Sequence, residues 1–346
     1  MTTPDHIEEN VPLGPLTTLG VGGPARFLLC AKSEEQVMEG FEFAASHGLP
    51  VFVLGGGSNI LVSDKGFDGL VIRIGLRGIG TNTDGTITAA AGEDWDRFVE
   101  YCVREDQSGV ECLSGIPGTV GGTPVQNVGA YGQEVSESIV SVRCYDRSSR
   151  AIVELSNEEC VFAYRTSVFN STKRERYVVL AVKFQLTPGS KPKIAYRDLV
   201  QHFADRVPSL AETREAVLAI RRSKSMVIDP NDPNRHSAGS FFKNPIVSQE
   251  TFEAIASRYG RDVPSFPAVG GAVKIPAAWL IERAGFYKGS AMGAAGISTN
   301  HTLAIINRGG ATAADILALA SEIQMAVKSE FDIDLIPEPV FVGDFE

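Results

Sequence analysis

Three consecutive glycines followed by short polar side chains form the sharpest local motif of the sequence, LGGGSNILVSD at 54–64. Glycine allows positive φ and lets backbone N–H groups approach a phosphate closely, and Ser58 and Asn59 would add side-chain donors. A plain tight turn would use the same residues. The motif is not a P-loop, because no Lys-Ser or Lys-Thr pair follows the glycines. By itself it is weak evidence for a phosphate site.

A second glycine group, GVGGPA at 20–25, matches the spacing G-x-G-x-x-A. The dinucleotide-binding fingerprint with this spacing needs a strand before it and a helix after it. Here PLTTL precedes the group and the strand-like ARFLLC follows it. The context therefore disfavours a Rossmann fold.

A long Gly/Pro-rich segment, SGIPGTVGGTPVQNVGAYG, occupies 114–132. It holds too much glycine and proline for a regular element and too many apolar residues for a disordered linker, so we expect an ordered loop around a ligand. The groups expected to face that ligand are exposed backbone donors and side-chain amides, at Pro117, Gly118, Gly121, Gly122, Gln126 and Asn127. Two glycine-rich phosphate candidates about sixty residues apart indicate a dinucleotide with a pyrophosphate.

Three further segments concentrate polar chemistry within apolar frames: FAYRTSVF (162–169), GSFFKNP (239–245) and IPEPVF (336–341). A buried arginine such as Arg165 is rarely unpaired, so it binds either a structural carboxylate or an anionic ligand. The other polar residues of these segments are Tyr164, Ser240, Lys243, Asn244 and Glu338. Taken singly, each is more often structural than catalytic.

The elements that must position these residues follow from the apolar pattern. A capping-box spacing from Ser33 to Gln36 opens a helix that Gly48 and Pro50 end, between strands at 25–30 and 51–55. Asp94 caps a second helix, whose apolar residues recur at helical spacing. Further strands are expected at 70–74, 86–92, 139–146, 178–186, 240–245, 302–307 and 334–343, and further helices at 211–222, 249–259, 277–284 and 312–330.

The stretch 225–239 is expected to connect an N-terminal half that holds a cofactor with a C-terminal α/β unit that helps to hold a substrate. The length of 346 residues favours two or three domains. A formal charge of −10 disfavours nucleic acid or an anionic membrane as the main partner. Five cysteines without a C-x-x-C pair fit reduced thiols, and the acidic N-terminus is no secretory signal. No run approaches a membrane span, so a cytoplasmic protein is expected.

Taken in order, these segments resemble the UDP-N-acetylenolpyruvoylglucosamine reductase family of bacterial peptidoglycan synthesis, from LTTLGVGGPA near the start to EPVFVG near the end. The resemblance implies a three-domain α+β fold, in which two domains hold FAD in the manner of vanillyl-alcohol-oxidase-like flavoproteins and a C-terminal α/β domain closes over the substrate. The implied bounds are 1–74 with 331–346 returning, 75–218, and 219–330.

The resemblance also assigns residues. Arg165 matches the ligand of the substrate carboxylate, Ser240 the proton donor and Glu338 the C-terminal catalytic acid. Tyr196 matches the loop tyrosine of the family's first subtype; with Tyr164, Lys224 and Asn244 it is expected to bind the substrate. Non-covalent FAD is expected on Gly55, Gly56, Gly57, Ser58, Asn59, Ile60, Ser114, Gly115, Pro117, Gly118, Gly121, Gly122, Gln126, Asn127, Gly129 and Ala130. Two strings depart from the family pattern, PEPVF at the terminal strand and TTLGVGG near the start.

The chemistry implied is reduction of an enolpyruvyl ether of a UDP-sugar, with NADPH as co-substrate. A hydride would add to the terminal CH2 carbon, Arg165 would stabilise the enolate-like charge, and Ser240 would protonate the α-carbon. Glu338 is expected to be protonated or to order a water molecule. We expect a monomer without a metal. The alternatives are an oxidase of alcohols or sugars with the same FAD-binding fold, and a binding protein that has lost the chemistry.

Overall fold

The computed structural model describes residue 4 and residues 6–204, 206–260 and 263–345. The chain divides into two compact units. Unit 1 comprises Met1–Val11, Ala25–Gly57 and Asp68–Ile228, and unit 2 comprises Pro12–Pro24, Ser58–Phe67 and Asp229–Glu346. The last change of unit, after Ile228, lies within the predicted connection at 225–239. The finer division into three domains stays a prediction.

Helices occur where capping residues and apolar spacing predict them. Within the described residues they are α1 (Glu34–His47), α2 (Trp95–Arg104), α3 (Arg197–Phe203), α4 (Leu210–Ser223), α5 (Gln249–Tyr259), α6 (Ala277–Arg283) and α7 (Ala313–Phe331). The short helix α3 was not predicted. Among the described residues, no helix combines the length and the apolar composition that a membrane crossing requires.

Strands are shorter and more numerous than the helices. In the described part of the chain they are β1 (Ile7–Pro12), β2 (Pro24–Ala31), β3 (Val51–Leu54), β4 (Ile60–Val62), β5 (Phe67–Ile74), β6 (Ile79–Thr81), β7 (Ile87–Ala90), β8 (Gln107–Ser108), β9 (Gly129–Ala130), β10 (Gln133–Glu134), β11 (Ile139–Asp146), β12 (Ala151–Ser156), β13 (Tyr177–Phe184), β14 (Thr187–Pro188), β15 (Ile246–Val247), β16 (Phe266–Pro267), β17 (Val273–Lys274), β18 (Ala291–Met292), β19 (Ala295–Ile297), β20 (Ile305–Asn307) and β21 (Val340–Val342).

Unit 1 contains two main sheets, in the strand orders β1-β2-β5-β3 and β12-β11-β13-β7-β6. The predicted β-α-β opening is confirmed as β2-α1-β3, and β5 lies between its two strands and runs parallel to β3. The sequence did not predict β1 and β12. Both are edge strands with mostly exposed side chains, so they lack the apolar signal that marks a central strand.

The helix ends in unit 1 follow the predicted caps. The Ser33 side chain accepts a hydrogen bond from the Gln36 N–H, and the Gln36 side chain accepts one from the Lys32 N–H, next to Ser33. Gly48 ends α1 in the left-handed conformation, at φ 63°. The Asp94 side chain accepts from the Arg97 N–H and so opens α2. These bonds satisfy donors that a helix N-terminus leaves without an intrahelical partner.

The core of unit 1 is built around α2. Trp95 and Phe98 are fully buried, and both rings contact the ring of Phe184 on β13, at centroid distances of 6.2 and 4.7 Å. Aromatic pairs at these distances contribute about 0.5–1.5 kcal/mol each beyond the area they bury. Helix α2 is thereby fixed on the five-stranded sheet, and its N-terminal turn is a rigid support for the segment that contacts it.

The five cysteines are free thiols, as the sequence predicts. Burial raises the pKa of the Cys102 and Cys112 thiols to about 12, with a smaller contribution from the nearby Glu111 carboxylate. Thiols with such values hold almost no thiolate near neutral pH and are therefore poor nucleophiles.

Unit 2 packs small sheets against α7. Its strand orders are β15-β17-β16, β18-β19-β20 and β21-β4, the last pair being parallel. The core includes Phe241 and Phe242, which are fully buried, and the inner face of α7. The predicted strand at 240–245 is only an extended segment with one bridge, between Phe242 and Pro337. Pro337 and Pro339 lack the N–H groups that a longer ladder requires.

Asp64, the last residue of the glycine motif, caps the longest helix of unit 2. Its two carboxylate oxygens accept hydrogen bonds from the N–H groups of Ala313 and Ala314, at 2.8 and 2.9 Å. Thr312 and Asp315 form a capping box at the same end. A carboxylate at this position also interacts favourably with the helix dipole. The LVSD half of the motif is therefore structural.

We expect Asp64→Ala to destabilise unit 2 by about 1–2 kcal/mol, because two N-terminal N–H groups of α7 lose their acceptor. The midpoint of thermal unfolding should fall by about 2–8 °C, measured by calorimetry. The control is Asp68→Ala, which removes an exposed carboxylate paired with Arg26 at 3.3 Å and should cost well under about 1 kcal/mol. Equal shifts in the two variants would contradict the capping role.

Candidate active site

The Gly/Pro-rich segment is held by the N-terminal turn of α2 and the residues before it. The Trp95 N–H donates to the Gly118 carbonyl at 3.1 Å, and the Trp95 indole N–H donates to the Leu113 carbonyl at 3.0 Å. In the opposite direction, the Val120 N–H donates to the Glu93 carbonyl at 2.9 Å. These bonds order residues 113–121 although the segment contains little regular structure, as the composition predicts.

The two glycine-rich segments contact each other in unit 1. A Cβ atom added to Gly56 would lie 2.7 Å from the Gly118 Cα atom, and one added to Gly55 would lie 3.0 Å from the Thr119 hydroxyl. Real Cβ atoms do not approach a backbone atom as closely as 2.7 Å, so only glycine fits at position 56. The loops at 55–57 and 118–119 therefore form one continuous surface, although they are about sixty residues apart in the sequence.

Some N–H groups of this surface have no acceptor among the described residues, while others bond groups of the protein. Within the described residues, the N–H groups of Gly56, Gly57 and Gly118 donate to no other group of the chain. The expectation that Pro117, Gly121 and Gly122 offer exposed backbone donors is wrong, because proline has no N–H and the N–H groups of the two glycines bond the carbonyls of Ala91 and Thr119. Both glycines lie in the 3₁₀ turn Val120–Gly122: the Gly122 bond to Thr119 closes this turn, and the Gly121 bond attaches it to Ala91.

Two side chains of the predicted cofactor segment also bind protein groups. The Ser114 hydroxyl is buried and donates to the Glu111 carbonyl at 2.6 Å. The Asn127 amide donates to the Glu134 carboxylate at 2.8 Å and to the Ala163 carbonyl at 3.2 Å. Asn127 thus joins the end of the glycine-rich segment to the next candidate region. These bonds do not support the predicted contact of Asn127 with FAD. Gln126, the preceding residue, lies in the same run of turns.

Gly129 and Ala130 lie in a tight hairpin next to this junction. Strand β9 pairs with β10 through the register Gln133↔Ala130 and Glu134↔Gly129. The two residues between the strands, Tyr131 and Gly132, have φ values of 50° and 85°. Positive φ at both central residues is the signature of the type I′ hairpin turn.

Tyr164 and Arg165 form the corner of a closed turn. Ala163 and Thr166 exchange two backbone hydrogen bonds at 2.9 and 3.0 Å, and Arg165 adopts a left-handed φ of 53°. The Arg165 guanidinium donates to the Gly129 carbonyl at 2.9 Å and lies 5.5 Å from the centroid of the Tyr164 ring. The turn therefore holds a guanidinium beside the end of the glycine-rich segment.

The predicted substrate residues Tyr196 and Lys224 also come together in unit 1. The Tyr196 ring meets the Tyr131 ring edge-on at 5.1 Å, and the Lys224 ammonium donates to the Asp198 carboxylate at 3.1 Å. Burial lowers the pKa of Lys224, but the hydrogen bond to Asp198 and the nearby tyrosines outweigh this and raise it. Lys224 is therefore a fixed cation, suited to a phosphate.

Ser240 and Glu338 are neighbours in unit 2. The Glu338 N–H donates to the carbonyl of Phe241, the residue after Ser240, at 2.8 Å. The Asn59 amide donates to the Glu338 carbonyl at 3.2 Å, and the Val340 N–H donates to the Asn59 carbonyl at 3.0 Å. Asn59, which the sequence analysis assigned to the cofactor, thus connects the start of β4 at Ile60 with the segment 338–340. The proline after Glu338 restricts that residue to extended backbone.

Asn244 has a partly structural task in the same unit. Its side-chain oxygen accepts a hydrogen bond from the Ala277 N–H at 2.9 Å, at the start of α6. This bond orients the amide, so that its nitrogen is the group that can donate to a substrate.

The sequence did not indicate that the Asp96 carboxylate holds the glycine-rich segment. Asp96 accepts hydrogen bonds from the Gly115 N–H at 2.5 Å and from two nitrogens of Arg214 at 2.6 and 2.8 Å. Burial raises the pKa of Asp96, but the bonds from Arg214 and Gly115 outweigh it and lower the pKa. An acid in the first turn of a helix is common, so its type and position give no signal.

Comparisons with known proteins agree over the whole chain. Residues 25–155 match the family described as FAD binding domain, and residues 230–342 match the C-terminal domain of UDP-N-acetylenolpyruvoylglucosamine reductase. Proteins named UDP-N-acetylenolpyruvoylglucosamine reductase from Thermobifida fusca and Streptomyces coelicolor are 50% and 49% identical to this chain. The alignments cover 99% and 96% of this chain, and 99% and 90% of those proteins.

A solved structure is similar as well. The crystal structure of the UDP-N-acetylenolpyruvylglucosamine reductase (MurB) from Thermus caldophilus superimposes with a TM-score of 0.67 at 28% identity, covering 97% of this chain and 99% of that one. Sequence, domain matches and mixed α/β fold therefore lead to one assignment, in agreement with the resemblance of the motifs. The chain belongs to the UDP-N-acetylenolpyruvoylglucosamine reductase family.

Proposed function

We propose that this protein reduces UDP-N-acetylglucosamine enolpyruvate to UDP-N-acetylmuramate in peptidoglycan precursor synthesis, with NADPH as the reductant and FAD as a non-covalent cofactor. The single observation that carries the proposal is 50% identity over 99% of the chain to a relative named for this reductase. The contact between the two glycine-rich loops supports it independently.

The proposal extends to the protein's setting. It acts as a monomer in the cytoplasm, on a small UDP-sugar and not on nucleic acid. Tyr196 supports assignment to the family's first subtype, and its ring contact with Tyr131 fits a tyrosine that faces a bound ligand. Three domains, with a vanillyl-alcohol-oxidase-like FAD-binding pair, are the arrangement proposed for the α+β fold.

The glycine-rich surface fits the pyrophosphate of FAD. A dinucleotide pyrophosphate is bound in many proteins by backbone N–H groups that point outward from glycine-rich turns. We assign the N–H groups of Gly56, Gly57 and Gly118 to this role, because they bond no other described group of the chain. Bound FAD would supply transfer of a hydride from NADPH to the enolpyruvyl CH2 carbon.

Arg165 supplies the positive charge for the substrate carboxylate. Its guanidinium is held by the Gly129 carbonyl, and its own carbonyl accepts a hydrogen bond from the Asn170 amide at 3.1 Å. When the CH2 carbon gains a hydride, negative charge develops on the α-carbon and its carboxylate. A guanidinium fixed before the reaction stabilises that charge more than it stabilises the ground state, which lowers the barrier.

Ser240 then donates a proton to the α-carbon, which completes addition of one hydride and one proton across the double bond. Donation of the proton leaves Ser240 as an alkoxide, so a proton must return to Ser240 after each turnover. Glu338 would be the group that returns that proton, or that holds a water molecule that does so. Its backbone N–H donates to the carbonyl of Phe241, the residue after Ser240. Lys224, Tyr196, Tyr164 and Asn244 would hold the diphosphate and the sugar.

The direct test of the function is an anaerobic spectral titration of the purified protein. NADPH should bleach the flavin absorbance, and UDP-N-acetylglucosamine enolpyruvate should restore it. Absence of flavin binding after supplementation with FAD would refute the cofactor assignment. A flavin that bleaches but recovers only with oxygen, and not with the enolpyruvyl substrate, would favour the oxidase alternative. Flavin and UDP-sugar binding without turnover would favour the binding protein.

The glycine contact makes a second prediction. Gly56→Ala places a Cβ atom 2.7 Å from the Gly118 Cα atom, so one of the two loops must move. The dissociation constant for FAD should rise at least about tenfold, as expected for loss of one hydrogen bond to a charged phosphate. Gly80→Ala is the control, because a Cβ atom there meets no atom within 4 Å. Fluorescence titration of each apoprotein with FAD measures the two dissociation constants. Equal constants for Gly56→Ala and Gly80→Ala would show that the loop contact is not needed for FAD binding.

Ser240→Ala makes a third prediction. Reduction of bound FAD by NADPH should remain as fast as in the wild type, while its reoxidation by the enolpyruvyl substrate slows by about 10²- to 10⁴-fold, the usual effect of removing a general acid. Stopped-flow absorbance separates the two half-reactions. Ser248→Ala, which removes the hydroxyl that caps α5, should slow neither. Equal slowing of both half-reactions in Ser240→Ala would show that Ser240 is not the proton donor.

A further inference from the structure

We propose that Asp96 and Arg214 form a positioning pair that fixes the loop 114–118 for FAD binding. The inference rests on the proposed function, since it takes this loop as part of the cofactor site. Neither residue belongs to a glycine-rich motif, and neither is expected to touch the cofactor.

The pair has the geometry of a strong, directional interaction. The Arg214 guanidinium donates two nearly parallel hydrogen bonds, at 2.6 and 2.8 Å, to the two oxygens of Asp96. The oxygen that accepts the shorter of these also accepts the Gly115 N–H, at 2.5 Å. The Arg214 side chain is only 12% exposed. Bidentate pairs of this kind fix both distance and orientation.

The pair joins three elements at the start of the loop. Asp96 lies in the first turn of α2, Arg214 lies on α4, and Gly115 lies between them. Gly115 adopts a φ of 71°, and a Cβ atom there would lie 2.7 Å from the Leu218 side chain on α4. The backbone of Gly115 therefore fits closely against α4, and the Asp96 carboxylate is the acceptor that holds its N–H in this position.

The position of Gly115 also determines the position of the proposed phosphate donor at Gly118. Only two residues separate Gly115 from Gly118, and the Gly118 carbonyl accepts a hydrogen bond from the N–H of Trp95, the residue before Asp96. Both ends of the stretch 115–118 are thus attached to the same helical turn. The Gly118 N–H bonds no other described group, and the Gly118 backbone lies against Gly56. A shift of Gly115 would therefore move a donor that is proposed to bind FAD.

Asp96→Asn keeps the size of the side chain but removes its charge. An amide has a single oxygen, so it cannot accept from both Arg214 nitrogens and from Gly115. We expect the dissociation constant for FAD to rise at least about tenfold, as for loss of one charge-assisted hydrogen bond. Arg214→Lys keeps the charge but loses the fork, and should give a smaller increase.

The control is a pair of the same design elsewhere in unit 1. Asp146 accepts two hydrogen bonds from the Arg176 guanidinium, at 3.0 and 2.7 Å, and one from the Ser148 N–H at 2.9 Å. It lies at the end of β11, in none of the segments assigned to FAD. Asp146→Asn should lower the thermal midpoint of the apoprotein but leave the dissociation constant for FAD within about twofold of the wild type.

The experiment is a fluorescence titration of full-length apoprotein with FAD, run beside thermal unfolding of each apoprotein. A higher dissociation constant in Asp96→Asn, with none in Asp146→Asn, supports the positioning pair. An unchanged constant in Asp96→Asn, or equal increases in both variants, overturns it. If Asp96→Asn fails to fold, Arg214→Lys takes its place, with the same criteria. Failure of the wild type to bind FAD would instead refute the proposed function itself.

Discussion

The arrangement of the cofactor surface depends on the hydrogen bonds between the N-terminal turn of α2 and the glycine-rich segment. That turn bonds Leu113, Gly115 and Gly118 through the backbone and side chains of Trp95 and Asp96. A segment rich in glycine and proline loses much conformational entropy when it is ordered, so these bonds must offset an unfavourable term. They can do so because α2 is itself fixed by buried aromatic rings on the five-stranded sheet.

Glycine is required at position 56 because the two loops lie too close together there for a side chain, as the distance to the Gly118 Cα atom shows. The N–H groups of Gly56 and Gly118 also donate to no other described group of the chain. The close packing of the loops and the absence of a side chain over these N–H groups therefore both follow from the residue type.

Much of the fold could be predicted from the sequence because its signals are local. Ser33, Gly48 and Asp94 mark helix ends by bonds within one turn, and the central strands are continuous apolar runs. The edge strands β1 and β12 gave no such signal, because neighbours do not cover both of their faces. The segments at 240–245 and 334–343 were both predicted as strands from their apolar residues, but Pro337 and Pro339 limit the pairing between them to a single bridge.

For the candidate site, the sequence likewise indicated some residues and not others. Residues with special backbone requirements or rare chemistry, such as Gly56 and Arg165, stand out in the sequence. Their supports do not, because Asp96, Arg214 and Asp198 are ordinary surface residue types until the fold brings them to Gly115 and Lys224. The misjudged donors, Gly121 and Gly122, show the converse. Their composition suggested a phosphate site, but the backbone bonds that occupy them are visible only in three dimensions.

Three non-glycine residues with left-handed backbone, Asn127, Tyr131 and Arg165, cluster where the glycine-rich segment meets the arginine turn. Each such conformation costs on the order of 1–3 kcal/mol unless its surroundings impose it. Here the surroundings are specific: the Asn127 amide bonds Ala163, the Arg165 guanidinium bonds Gly129, and Asn170 bonds the Arg165 carbonyl. The guanidinium is held by a backbone carbonyl, and the Arg165 backbone is held by the Asn170 side chain. The protein itself therefore orients the guanidinium, so the interaction proposed between Arg165 and the substrate carboxylate would need no binding energy for that purpose.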